Sequence, residues 1–256
     1  MLTLAVSNQK GGVGKTTTCV NLAAELGRLG YSVLSVDIDP QANCTSGLGI
    51  APASLEISLY DVLLGDASIE EAIVPTRWEG VSLLPSTLDL AGAEIELASA
   101  ISRETKLRRH LSGLKGYHIA IVDCPPSLGI LTVNALAACD RLVIPIQCEY
   151  YALEGVGQLS RTIRLVQEGL NPRLSIDGVL LTMFDSRTRL AHEVAEEVRR
   201  QFGKAVFSSV IPRNVRLSEA PSHSAPIAYY DPSSSGAQAY RELAEEVSGL
   251  WLRTVP

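Results

Sequence analysis

The sequence predicts an α/β fold, a doubly wound and mostly parallel sheet with helices on both faces, built by residues 1–256 as a single domain. Three observations carry this. Aliphatic runs of strand length alternate with stretches of helical periodicity along the chain, which is the pattern of βαβ units. With 46% hydrophobic and 20% charged residues and a mean hydropathy of +0.17, there is apolar material for a sizeable core. And three chemically loaded segments, 8–17, 37–43 and 123–127, each follow a strand directly, where ligands of such sheets bind.

In chain order, strands are expected over 2–7, 32–36, 80–84, 118–122, 141–146, 176–183 and 205–210. A helix over 16–29 is closed by Gly30, and amphipathic helices are expected over 128–138, 153–168, 190–202 and 234–252. No repeat, low-complexity tract or linker interrupts them.

Composition also excludes several classes. Five scattered cysteines (Cys19, Cys44, Cys124, Cys139, Cys148) form no C-x-x-C pair and no zinc-ligand spacing, as expected of a reduced cytoplasmic protein. Met1–Val6 is too short and too unflanked for a signal peptide, and no apolar run approaches the ~18 residues of a membrane span. A net charge of -6 argues against nucleic acid when taken alone. Its distribution argues otherwise: residues 1–100 carry four basic against twelve acidic side chains, so the remainder is net basic, with clusters at 103–115 and 183–223.

The first loaded segment reads Lys10-Gly11-Gly12-Val13-Gly14-Lys15-Thr16-Thr17. A phosphate loop needs glycines so that backbone N–H groups can cradle phosphate oxygens at a helix N-terminus, followed by Lys and Ser/Thr. Gly14, Lys15 and Thr16 fit that pattern; Gln9 stands where the first glycine should be, and Gly11, Gly12 and an additional Lys10 replace it. From phosphoryl-transfer chemistry, Lys15 bridges the outer phosphates of ATP, Thr16 ligates Mg²⁺ and Thr17 donates to an inner phosphate. In the second segment, Asp37 and Asp39 of an extended stretch would point the same way and face the phosphate pocket together, one acting on water and one on the metal shell. In the third, an aliphatic strand ends at Asp123, the Walker B arrangement for a Mg²⁺ carboxylate. Cys124 beside it is read as a small buried side chain.

Together K-G-G-V-G-K-T-T, D-I-D-P-Q-A-N, D-C-P-P-S-L, E-Y-Y-A-L-E-G and I-P-R-N-V-R-L-S-E-A-P-S resemble the ParA/Soj ATPases, of the deviant Walker A group of P-loop NTPases, over nearly the whole chain. The resemblance implies an ATP-bound homodimer in which Lys10 reaches the partner's phosphates, Asp39 positions the attacking water, Asp37 supports the metal region and Asp123 is the Walker B acid. It implies that Pro212 packs on the adenine with Asn214 near its edge. It further implies sequence-independent DNA binding through Arg187 and Arg216, with Arg189 and Arg213 adding to the patch, on the nucleoid, and slow hydrolysis stimulated by a ParB-type partner. No N-terminal helix-turn-helix is expected, and Ser233-Ser234-Ser235 stands where relatives often carry a basic residue.

Three neighbouring classes compete. A membrane-cycling MinD type would need a basic amphipathic tail, whereas 249–256 carries one basic residue, so this helix is expected to pack on the core and no stable membrane association is expected. An iron–sulfur protein resembling nitrogenase iron protein needs paired cysteines, and a ligase resembling cobyrinate synthetases needs a substrate pocket that the sequence does not signal.

Overall fold

The computed structural model describes residues 1–150 and 156–252. Its strands are β1 (Leu2–Val6), β2 (Val33–Asp37), β3 (Val74–Pro75), β4 (Val81–Leu84), β5 (Ile119–Asp123), β6 (Arg141–Gln147), β7 (Ser175–Phe184) and β8 (Val206–Pro212). They form one sheet in the order β3-β4-β2-β5-β1-β6-β7-β8. All neighbours are parallel except β3 and β4. β1 therefore lies inside the sheet between β5 and β6, and Val6, Asp37 and Asp123 end adjacent strands in register. That register brings the three loaded segments to one edge of the sheet.

Alternation along each strand divides the core in two. On one face Ala5, Val36, Val122, Ile144 and Leu181 pack under α3 (Leu59–Leu64), α7 (Ile130–Ala138), α8 (Val156–Gly169) and α9 (Arg189–Phe202), with α4 (Ile69–Ala72), α5 (Leu90–Glu96) and α6 (Lys106–Ser112) alongside. On the other, Leu4, Val6, Val33, Ile121 and Leu180 pack under α1 (Lys15–Arg28) and α12 (Ser235–Val247), with α2 (Asn43–Gly47), α10 (Val215–Glu219) and α11 (Ile227–Tyr230). Burial on both faces is why the strands read as aliphatic runs. Gly27 of α1 touches the backbone before β4: a Cβ there would lie 2.0 Å from the Glu79 carbonyl.

The expected strands are all present, and β3 is the addition. Between Asp39 and Ser112 the sequence reading held one strand, whereas the structure has five short helices. Two announce themselves by capping boxes, Ser58 with Asp61 and Ser68 with Glu71. The helix expected over 153–168 begins outside the described residues, as does most of the E-Y-Y-A-L-E-G block; its described part is α8. The last helix runs on as one π-turn, Ser248–Leu252, and packs inward: Leu252 is buried and Trp251 lies against Phe207 and the Arg141 guanidinium. Among the described residues no helix is long and apolar enough to cross a membrane.

Candidate nucleotide site

The loop after β1 is held open by backbone geometry and by three buttresses. Gly12 and Gly14 take φ +73° and +89°, a conformation that costs L-residues energy. Asn8 donates its amide to the Pro145 carbonyl (2.7 Å) and accepts from the Lys10 N–H (3.0 Å), pinning the entry of the loop to β6. Thr182 of β7 donates its hydroxyl to the Val13 carbonyl at 2.9 Å, and Lys15 Nζ donates to the Lys10 carbonyl at 3.2 Å. Gly14 is the N-cap of α1, and no side chain caps that helix, so its first N–H groups remain for an anion. Burial lowers the Lys15 pKa, opposed by the charges of Asp123 and Asp39. This ammonium is desolvated and aimed where acidic groups gather.

The loop forms one wall of a cavity of about 510 Å³, lined also by Asp39, Gln41, Pro126 and Met183. Asp39 accepts from the Gln41 N–H at 3.0 Å. Asp37 is not in that lining. The expectation that Asp37 and Asp39 face the pocket together is corrected: Asp37 is fully buried and accepts from the Thr45 N–H (2.8 Å), the Thr45 hydroxyl (2.7 Å) and the Asp39 N–H (3.2 Å). The chain is no longer extended there, because it turns through Asp39–Ala42 into α2, so the period of two fails after one residue. Burial still pushes the Asp37 carboxyl up to about 6, against the hydrogen bonds from Thr45.

Asp123 is likewise fully buried. Its Oδ1 accepts from the Cys19 thiol at 3.5 Å, the Thr16 hydroxyl lies near enough to hold the carboxyl pKa down, and Oδ2 has no hydrogen-bond partner among the described residues. Burial and the neighbouring Asp37 charge push it up to about 8. A buried orphan carboxylate oxygen beside a threonine hydroxyl fits a hard cation such as Mg²⁺. Among the described residues no three carboxylate, His or Cys side chains converge to hold a metal by themselves, so the cation would need phosphate oxygens as co-ligands. The cysteines are buried and free, Cys124 included, and none of them meets the need of an iron–sulfur centre for paired thiolates.

A second cavity of about 260 Å³ adjoins the first, sharing Gly14, Thr17 and Met183 and adding Pro212, Arg213, Asn214 and Tyr240. The residues expected at the adenine thus sit next to the phosphate loop. Asn214 is more constrained than expected, since it caps α10 through the Arg216 N–H (2.8 Å) and donates to Ser235 (2.8 Å). Met183 takes φ +52°, an uncommon conformation for a non-glycine residue, at the point where both cavities meet.

Comparison with known proteins agrees with this geometry. The chain is 58% identical over 96% of its length to the sporulation initiation inhibitor protein Soj of Bacillus subtilis (97% of that protein) and 53% identical over 95% to the chromosome partitioning protein ParA of Myxococcus xanthus (87% of that protein). The chain belongs to the ParA/Soj family of chromosome-partitioning ATPases. A family model described as an AAA domain matches residues 1–176. A Mycobacterium smegmatis structure described as cobyrinic acid a,c-diamide synthase with bound ADP and magnesium is 43% identical, with a TM-score of 0.84 over 96% of this chain and 93% of its own.

In this ParA/Soj chain the four arginines expected at DNA lie on the same sheet edge, beyond the carboxyl ends of β7 and β8. Arg213 donates its N–H to the Phe184 carbonyl, three residues before Arg187. All four are exposed, and three are engaged by carboxylates: Arg187 with Asp185 (2.8 and 2.7 Å), Arg189 with Glu193 (2.7 Å), and Arg216 with Glu219 (2.8 Å) and Asp231 (3.4 Å). Such surface pairs are weak and exchange readily for other anions. Sequence reasoning missed the supports of the site: Asn8, Thr45, Thr182 and Tyr240, whose hydroxyl meets Thr18 at 3.2 Å. Asn8, Thr182 and Tyr240 act across long sequence separation, and Thr45 acts on Asp37 eight residues back, a spacing that no phosphate-loop motif specifies.

Proposed function

We propose that this chain is an ATP-driven DNA-segregation switch, binding Mg·ATP in the two adjoining cavities, pairing with a second copy, and holding DNA until hydrolysis releases it. The observation that carries the reading is the loop itself, with two lysines gathered on one phosphate cradle: Lys15 is buried and committed to it, and Lys10 stands half-buried at its rim, tied back through its backbone. Lys15 and the amides of Gly11, Gly12, Val13, Gly14, Thr16 and Thr17 bind the phosphates, while Pro212 and Asn214 border the base. Thr16 and Asp123 hold the magnesium ion, which when bound neutralises charge building on the phosphate oxygens. Asp37, locked by Thr45, keeps the turn that presents Asp39, and Asp39 orients the attacking water. Lys10 reaches the phosphates of the partner copy.

The same sheet edge that binds nucleotide carries Arg187, Arg189, Arg213 and Arg216, which supports phosphate-backbone binding without base readout. Dimerisation doubles that patch and reconciles it with an acidic chain. A ParB-type protein stimulates an intrinsically slow hydrolysis, and the cycle runs on the nucleoid in the cytoplasm. The test is DNA binding with ADP, ATP and a non-hydrolysable analogue over a salt series: retention requires the triphosphate and falls with salt. Equal retention with ADP removes the switch from the reading. The inward packing of Trp251 and Leu252 speaks against a MinD-like membrane cycle.

A further inference from the structure

Asp123 faces one helix, which meets it through a thiol. Thr16 and Cys19 are three residues apart in α1 and therefore share a face. The Cys19 thiol donates to Asp123 Oδ1 at 3.5 Å, the Thr16 hydroxyl lies near enough to lower the pKa of that carboxyl, and Oδ2 is buried without a hydrogen-bond partner among the described residues. A carboxylate torsion is broad and nearly two-fold, so rotamer preference alone does not fix the plane of the Asp123 group. A donor on one oxygen does fix it. Thr16 is the cation's own ligand in the reading above, which leaves Cys19 as the donor with no other duty. The neighbouring thiols are spent elsewhere: Cys124 on the Val122 carbonyl, Cys44 on the Ser35 hydroxyl.

We propose that Cys19 is a positioning residue for the magnesium site, its Sγ–H bond to Oδ1 setting the carboxylate plane of Asp123 so that Oδ2 is presented to the ion entering with the nucleotide. This rests on the reading of Asp123 as the magnesium carboxylate. A motif reading passes over the position, because Cys19 lies beyond the loop and is fully buried. Its contribution is geometric, so it belongs in the magnesium dependence of nucleotide binding and not in nucleotide binding as such.

The test is the affinity of the full chain for a fluorescent ADP analogue, measured without magnesium and across a magnesium chloride titration, alongside the thermal midpoint without nucleotide. Cys19→Ala raises the half-saturating magnesium concentration by about three- to tenfold, the range of one modest hydrogen bond, with magnesium-free affinity unchanged. Cys19→Ser, whose hydroxyl is the better donor, brings the curve back toward that of the unsubstituted chain. A Cys19→Ala curve that overlays the original overturns the assignment, and so does a serine variant no closer to it than alanine. A loss of magnesium-free affinity equal to the loss with magnesium also overturns it, since that is what loosened packing would do. Asp123→Asn, run in parallel, shifts the magnesium curve by more than the alanine variant; if it leaves the curve unmoved, the magnesium reading of Asp123 falls as well.

Discussion

Thr45→Val tests whether the buried Asp37 is held as an ionised, hydrogen-bonded group. Valine keeps the shape of threonine, so no cavity forms, and what is lost is the hydroxyl that donates to Asp37 (2.7 Å) and accepts from the Ser86 N–H (3.0 Å). Losing a hydrogen bond to a charged group costs about 1.5–3 kcal/mol, and stranding a buried N–H adds about 1–3 kcal/mol. Part of the second is recovered by relaxation, so roughly 2–4 kcal/mol is expected at pH 7.5, which for a chain of this size lowers the melting temperature by about 5–15 °C. The pH dependence separates the two parts. Asp37 titrates near 6 in the folded protein because burial raises it, and the Thr45 bonds act against that rise. Below that pH the carboxyl is neutral and the hydroxyl is worth less to it, so the destabilisation shrinks by about 1–2 kcal/mol between pH 7.5 and pH 5. Urea denaturation of both proteins at the two pH values measures this. A destabilisation equal at both would mean that Thr45 acts through Ser86 alone, and the electrostatic account of Asp37 would be wrong.

Further outcomes follow from the same geometry. Lys15→Ala removes the buried ammonium from the cradle and abolishes nucleotide binding by calorimetry, while Asp39→Ala retains ATP and DNA but loses hydrolysis; steady phosphate release from Asp39→Ala would refute its role. Without nucleotide, the wild-type chain loses stability as pH rises: Asp37 near 6 and Asp123 near 8 both lie above the unfolded carboxylate value of about 3.9, so their contribution is complete below about pH 4 and is lost above it, by about pH 6 for Asp37 and about pH 8 for Asp123. Asp123→Asn flattens the upper part of that denaturation profile. Arg187→Glu with Arg216→Glu abolishes ATP-dependent DNA retention and leaves ATP affinity unchanged in a filter-binding assay. Arg187 and Arg216 on each of two copies account for about -3.6 of the unsubstituted salt slope, a factor of roughly a hundred between 50 and 200 mM salt.

The sheet and the cradle were legible because each depends on local pattern. Aliphatic runs mark strands buried on two faces, and Gly14-Lys15-Thr16 marks a loop whose shape is set within a few residues. The segment from Asn43 to Ser112 was not legible as helices, because α2 to α6 are four to seven residues long and give helical periodicity too little length to register. The serine capping boxes at Ser58 and Ser68 were the signal available there. Asp37 was misplaced for a different reason. The extended period was carried one residue past the point where the Asp39 N–H folds back onto the Asp37 carboxylate. Asn8, Thr182 and Tyr240 were invisible because their partners lie 137, 169 and 222 residues away, and only the strand order brings them together.

Strand β7 closes the account of how these parts communicate. Within three consecutive residues, Thr182 supports the Val13 carbonyl, Met183 borders both cavities at φ +52°, and the Phe184 carbonyl anchors Arg213. Cradle and arginine rim therefore hang from a single beam and share its tolerances. A substitution that reshapes one end of this tripeptide is heard at the other, so the chain cannot retune its nucleotide grip and its basic rim independently through these positions.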